Sequence, residues 1–189
     1  MKIKCYLSVL IGFIFCLCGH SQEVALKTNA LGWATVSPNL ELEWGLSKKS
    51  TLDAYASVNP FSFSDGKQWK HWFVMPEYRY WFCEKFYGHF VGVHLVGGEY
   101  NIGKVDLPFG VYKNTRDARY EGWGVGAGLS YGYQWVLSRH WSVEGTIGAG
   151  YIWAKYRKYP CAECGTELDS GHKNYFGITK AAVSLIYVF

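Results

Sequence analysis

Charged residues alternate with apolar ones in several segments of the chain, and together they could carry catalytic or proton-handling chemistry. Glu77 and Arg79 lie two apart within PEYRYW, and Glu41 and Glu43 lie two apart within LELEW. A carboxylate beside a guanidinium can serve as a general acid or base when its surroundings perturb it. The same residue types also form structural salt bridges. The residues that share this alternating pattern are Lys27, Glu41, Glu43, Asp53, Glu77, Arg79, Glu144 and Lys180.

A histidine and a serine two residues apart, His140 and Ser142, are the residue types that outer-membrane lipid A deacylases use as a catalytic pair. Because a predicted strand begins at Trp141, His140 falls in the turn before it and Ser142 on its interior face, so the two side chains cannot act together. His71, beside Trp69, is better placed for chemistry at the outer surface, but a lone histidine there is expected to belong to an aromatic girdle. We therefore assign no catalytic residue.

The cysteines provide the remaining candidate chemistry. Cys161 and Cys164 form C-A-E-C in a polar segment, which in an exported protein favours a short disulfide or a pair of free thiols. A zinc site needs four ligands, and only His172 is near in the sequence. Cys83 has no evident partner. We predict no metal and no cofactor.

The element that dominates the sequence is a long alternating strand from Tyr120 to Trp135. Every second residue from Trp123 onward is apolar, and those between are Gly, Ser or Gln. Successive side chains of a strand point to opposite faces, so one face is apolar throughout. A tilted strand that crosses a bilayer needs about 9–11 residues, and this strand is long enough. Gly122, Gly124 and Ala127 formally match a dinucleotide fingerprint, but that motif needs an opening helix, whereas here the alternation continues.

The end of the chain repeats this pattern. From Tyr175 to Phe189, odd- and even-numbered residues are expected on opposite faces of one strand, and we expect this two-residue alternation to continue without interruption. Tyr187 and the final Phe189 resemble the C-terminal signal by which bacterial outer-membrane barrels are recognised for assembly. The barrel-assembly machinery is thus an expected partner during biogenesis.

Period-two alternation predicts eight strands and no helix. Short connections alternate with mostly longer, polar ones at Pro60–Lys70, Gly103–Ala118 and Arg157–His172, as in an antiparallel barrel that has tight turns at one end and surface loops at the other. The predicted fold is an all-β, eight-stranded antiparallel transmembrane β-barrel of the smallest outer-membrane size. Its predicted strands are Val24–Trp33, Asn39–Leu46, Thr51–Asn59, His71–Cys83, His89–Ile102, Arg119–Leu137, Trp141–Tyr156 and Lys173–Phe189.

Assigning faces to these strands turns the charged residues inward. An eight-stranded barrel has an interior just wide enough for side chains to fill, so buried charges must pair with one another. We therefore favour a structural charge network over a catalytic site or a narrow pore.

The first residues predict export. Lys2 and Lys4 precede an apolar stretch, and small residues frame a cleavage site after Ser21, which is the pattern of a signal peptide. The domains are then a signal peptide at residues 1–21 and one outer-membrane barrel at residues 22–189. The net charge is +4, of which Lys2 and Lys4 contribute half, so the mature chain is nearly neutral. We therefore expect no nucleic-acid binding.

Several stretches together resemble a Bacteroidota family of small outer-membrane barrels catalogued only as a domain of unknown function. The resemblance implies an outer-membrane location and no assigned catalytic residues, and members of the family tend to be encoded beside fimbrial components. The matching stretches are KTNALGW (27–33), SPNLELEWGL (37–46), PEYRYWFC (76–83), GHFVGVH (88–94), the segment 120–151 and GITKAAVSLIYVF (177–189).

The expected function is that of a non-enzymatic outer-membrane barrel in contact with outer-membrane lipid. Its surface loops and rim would bind a partner, with fimbria or surface-structure assembly or adhesion as the context. A lipid-modifying enzyme similar to the deacylases, or a narrow pore, is the alternative.

Overall fold

Eight strands form one closed antiparallel sheet in the computed structural model, which describes residues 23–61, 68–103, 119–160 and 166–189. Each strand pairs with the next along the chain, and the last pairs back with the first. The predicted eight-stranded antiparallel barrel is confirmed. The strands are β1 (Val24–Asn29), β2 (Asn39–Gly45), β3 (Ser50–Asn59), β4 (Gln68–Trp81), β5 (Gly88–Gly103), β6 (Arg119–Val136), β7 (Trp141–Tyr159) and β8 (Asp169–Val188).

The prediction that the chain has no helix was wrong. β1 ends at Asn29 instead of Trp33, and a five-residue helix, α1 (Ala30–Ala34), follows it. The side chain of Asn29 accepts a hydrogen bond from the amide of Leu31 at 3.0 Å, which caps the helix. A helix this short covers little more than one turn, so it leaves no periodic signal in the sequence. Within the described residues, no helix is long and apolar enough to cross a membrane.

The last two strands are longer than predicted. β7 continues to Tyr159 and β8 begins at Asp169, so seven of the sixteen residues of the predicted loop Arg157–His172 belong to strands. Most of the two other predicted long loops, the signal peptide, Cys161 and Cys164 lie outside the described residues.

The predicted uninterrupted alternation of the last strand was also wrong. Gly148 pairs with Lys180 whereas Ala149 pairs with Ile178, so Thr179 is an extra residue, a β-bulge. Even-numbered residues of β8 face outward before the bulge and inward after it. Phe176, before the bulge, is 83% exposed, while Lys180, directly after it, is buried.

The two faces of the sheet differ in chemistry. The outward face carries exposed large apolar side chains on all strands from β2 to β8, such as Leu95, Leu129 and Ile147. The inward face carries most of the buried polar and charged side chains. One end of the interior is closed by apolar packing, where the Trp81 ring lies 4.7 Å from that of Phe90.

Candidate functional site

Arg79 lies at the centre of the interior, because β4 turns it inward together with Glu77. The guanidinium is fully buried and within ion-pair distance of five carboxylates that come from four strands. The distances are 2.9 Å from Nη1 to Glu43 Oε2, 3.1 Å from Nη1 to Glu144 Oε2, 2.9 Å from Nη2 to Glu41 Oε1, 3.0 Å from Nη2 to Asp53 Oδ2, and 3.4 Å from Nε to Glu77 Oε1.

Two lysines complete this cluster, which we call the charge network. Lys27 lies between Glu43 and Glu144, with Nζ 2.9 Å from Glu144 Oε2. Lys180 contacts Glu77, and its Nζ lies 3.7 Å from both Glu41 Oε1 and Asp53 Oδ2. The structure thus brings together all eight charged residues that alternation placed inside, from β1, β2, β3, β4, β7 and β8.

The charge network is both buried and unequal in sign. Its side chains are at most 5% exposed. It contains five carboxylates and three cationic groups, so negative charge predominates when all are ionised. Breaking such a buried network by removing one partner leaves an uncompensated charge in a low-dielectric interior, which is costly.

Sequence reasoning missed the neutral side chains that support the network. Thr51 donates to Glu43 and Ser130 donates to Glu77, and Thr146 Oγ1 donates to Glu144 Oε1 at 2.7 Å. Trp81 Nε1 in turn donates to Thr51 Oγ1 at 2.9 Å. Inward alternation marks the positions of these residues, but it says nothing of which carboxylate each hydroxyl would reach.

The other residues singled out from the sequence are dispersed. His140 is exposed in the turn before β7, where its Nδ1 lies 3.0 Å from the carbonyl oxygen of Val188, whereas Ser142 is buried on the inward face of β7. His71 was expected to belong to an aromatic girdle, but it points inward, and its ring lies 5.7 Å from that of Phe73. Cys83 carries an exposed free thiol.

The predicted assembly signal, Tyr187 and Phe189, lies where β8 pairs with β1 and closes the barrel. The ring of Tyr187 lies 5.0 Å from that of Phe189 and stacks on His140 at 5.5 Å. The amide of Phe189 donates to the carbonyl of Val24 at 2.9 Å, so the last residue still pairs with β1.

The glycines of the dinucleotide-like stretch lie within β6, and no helix follows them there. A Cβ at Gly122 would overlap the backbone carbonyl of Lys155, and a Cβ at Gly126 would overlap that of Tyr151. Their role is to let β6 approach β7 closely. Within the described residues, no group of three or more His, Cys, Asp or Glu is arranged to hold a metal ion.

One testable consequence concerns Gly92 on β5, which faces the charge network. A methyl group there would overlap the Glu77 carboxylate and the Ser130 hydroxyl. We expect Gly92→Ala to lower the free energy of unfolding by about 1–3 kcal/mol, the usual cost of overpacking. Gly97→Ala is the matched control on the same strand, because its nearest neighbour would be Val125 at 3.8 Å. Equal stability of the two variants in urea titrations would contradict the tight packing described here.

The geometry defines a class: a small closed antiparallel β-barrel, apolar outside, with a charge network filling part of its interior. The chain belongs to the family described as Protein of unknown function (DUF3575), which matches residues 7–189. The family resemblance predicted from the sequence is confirmed to that extent, while its Bacteroidota and fimbrial context stays a prediction. A comparison with curated proteins finds no match.

Proposed function

We propose that the protein is a non-enzymatic integral outer-membrane β-barrel whose outer end binds a partner. The observation that carries this proposal is the inverted distribution of side chains. Leu129 is 67% exposed on the outward face, whereas Arg79 is fully buried inside. A water-soluble barrel gains stability from the opposite arrangement, whereas a barrel in lipid requires an apolar outward band.

Aromatic residues lie near both ends of the outward face, as in barrels that span a bilayer. At the end with the short turns, the Trp141 ring lies 5.1 Å from that of Tyr187. Toward the other end, the Trp123 ring lies 5.1 Å from that of Trp153. The signal-peptide pattern of residues 1–21 supports export of the mature chain, residues 22–189.

The rim formed by the outer ends of β6 and β7 supports partner binding. Beyond Trp123 and Trp153 the paired sheet becomes polar: Arg157 Nη2 lies 3.1 Å from Glu121 Oε1, and the Arg119 guanidinium lies 4.5 Å above the Tyr159 ring. An ordered polar wall of this kind suits a protein partner in water. The family resemblance favours fimbrial or other surface proteins as that partner.

The lipid-modifying enzyme and the narrow pore are less well supported. His140 lies in the exposed turn before β7, where its ring stacks on Tyr187 at 5.5 Å, whereas Ser142 is buried inside the barrel. The charge network lies across the interior that a pore would need to keep open.

The test is mild-detergent extraction from outer membranes, with mass spectrometry of the proteins that co-purify. We expect the wild type to be recovered from the outer-membrane fraction together with a partner. A variant in which a short Gly-Ser linker replaces residues 160–168 should be recovered there without it. A variant carrying Lys48→Ala and Lys49→Ala, in the turn at the opposite end, is the control and should keep the partner. Recovery in the soluble fraction would contradict the location, and equal recovery of the partner with the linker variant would contradict a role for the connection between β7 and β8 in partner binding.

A further inference from the structure

The wall of the barrel is much lower on one side than on the other. β1 ends at Asn29, which pairs with Ser184, while β8 continues to Asp169. At ~3.3 Å per residue and a strand tilt of about 40°, β8 rises roughly 40 Å farther along the barrel axis. Among the described strands, none pairs with β8 on its β1 side over this stretch. Helix α1 lies against β8 there. The Asn29 side chain accepts a hydrogen bond from the amide of Val183 at 3.2 Å and donates one to the carbonyl of Ala181 at 3.3 Å.

An inner cavity of about 420 Å³ lies behind this low wall, bounded by α1, β3, β4 and β8. Its lining is mostly apolar. The Phe73 ring lies 5.5 Å from that of Tyr55 and 5.7 Å from that of His71, so one side is a continuous aromatic surface. Leu31 of α1 lines the opposite side and is 46% exposed. A cavity of this size and composition suits a small apolar ligand or a segment of a chain.

A second cavity, an outer groove of about 440 Å³, lies on the outward face at the same height. Its lining is almost wholly apolar and includes Trp33, Leu40 and Trp72. Ser57 and Phe73 line both cavities and pair with each other across β3 and β4, so the paired wall itself is the partition between them. The open way from the outer groove to the inner cavity is over the outer end of this wall, beside α1, where β1 and β2 have ended.

The charges at the floor of the inner cavity select the kind of ligand. Lys180 is the charged residue in the lining, and its amine already contacts the Glu77 carboxylate. Negative groups predominate in the charge network below it, so a negatively charged head has no available partner there and is repelled. An uncharged hydrocarbon chain, by contrast, would bury its surface against Phe73 and Leu31.

We propose that the inner cavity holds one acyl chain of a membrane lipid, which enters over the low wall beside α1 while the lipid headgroup stays outside, near Trp33 and Trp72. This proposal rests on the proposed insertion of the barrel in a membrane. It identifies a lipid-binding site in the wall itself, at the height where β1 and β2 have ended.

Photo-crosslinking tests both proposals and separates them. The mature chain is folded into dioleoylphosphatidylcholine vesicles that contain a phosphatidylcholine with a diazirine on one acyl chain, and labelled residues are mapped by mass spectrometry. β4 provides the readout, since Trp72 and Val74 face outward while Phe73 and Met75 face inward. We expect label on both pairs. Label on Trp72 and Val74 alone would overturn the acyl-chain site and leave membrane insertion intact, whereas no label on either pair would overturn membrane insertion itself.

Variants make the assignment specific. Ser57→Phe should place a ring in the inner cavity, which Ser57 lines, and abolish label on Phe73 and Met75 while leaving the outward label unchanged. Leu31→Gln, on a half-exposed side chain that does not endanger folding, should reduce the inward label. Ala149→Phe, exposed on the outward face of β7, is the matched control and should change nothing. Inward label that persists in both cavity variants would overturn the site.

A parallel arm replaces the labelled lipid with a free diazirine fatty alcohol in the same vesicles. Inward label from the alcohol but not from the phosphatidylcholine would overturn an intact lipid as the source of the chain. Inward label from the phosphatidylcholine supports the proposal as stated.

Discussion

Replacing Arg79 with methionine is expected to lower the free energy of unfolding by about 3–5 kcal/mol, the cost of breaking a buried ion cluster by removing one partner. Methionine is long and apolar, so the substitution removes the charge while retaining much of the volume. Five carboxylates would then share the two lysines, Lys27 and Lys180, in an interior with little access to water. The deficit should shrink at low pH, because protonated carboxyl groups no longer require the guanidinium charge.

The measurement for this variant is urea-induced unfolding of the chain in detergent or vesicles. Arg157→Met is the matched control, because Arg157 is 55% exposed in its pair with Glu121 and should contribute about 0–1 kcal/mol. Arg79→Lys should fall between the two, since one amine cannot replace the two guanidinium nitrogens that reach four carboxylates. If Arg79→Met and Arg157→Met cost the same, the charge network is not what holds the interior together.

The second large effect is expected on the outward face. Leu129→Arg should destabilise the inserted barrel by about 2–4 kcal/mol if Leu129 lies near the middle of a bilayer. Leu137→Arg should cost about 0–1 kcal/mol, because Leu137 follows the end of β6, at the level of the turns and the membrane interface. The two leucines are 67% and 65% exposed, so they differ in height along the barrel and hardly at all in burial.

This pair of variants distinguishes lipid from water as the surroundings of the outward face. In water, arginine at either position would be solvated and the two variants would unfold alike. In vesicles, the difference between their unfolding free energies reports the depth of Leu129. A difference close to zero in phosphatidylcholine vesicles would contradict the membrane-facing assignment.

The strands and the inward residues could be predicted from the sequence because a barrel wall obeys a local rule. Alternation along one strand decides which of its side chains face inward, and the eight charged residues of the network follow from that rule alone. It places Glu77 and Arg79 on the same face as surely as it places Tyr78 on the other.

Features that depend on neighbouring strands could not be predicted in the same way. The bulge at Thr179 is defined by the pairing of β8 with β7. The sequence carries a weak signal for it, since the outward apolar residues change phase from Phe176 and Ile178 to Val183 and Leu185. Asn29 ends β1 by capping α1, but an asparagine at that position is equally compatible with a continuing strand.

The two cavities and the low wall arise from strand lengths and register, which are properties of the whole sheet. His71 is a different case: its aromatic neighbours in sequence indicated a surface girdle, but the alternation that turns Glu77 and Arg79 inward also turns His71 inward, where it lines the inner cavity. The hydrogen bond from Ser130 to Glu77 joins residues on β6 and β4, and it exists only because the barrel closes.

The most direct test of the proposed membrane barrel is folding of urea-denatured residues 22–189 with and without dioleoylphosphatidylcholine vesicles. Gel electrophoresis of unheated and heated samples and protease digestion then report on the folded species. We predict a species that forms only with vesicles, changes its gel mobility on heating, and retains a protease-resistant core that includes β5 to β8. A folded, soluble and protease-resistant chain in buffer without lipid or detergent would contradict the assignment.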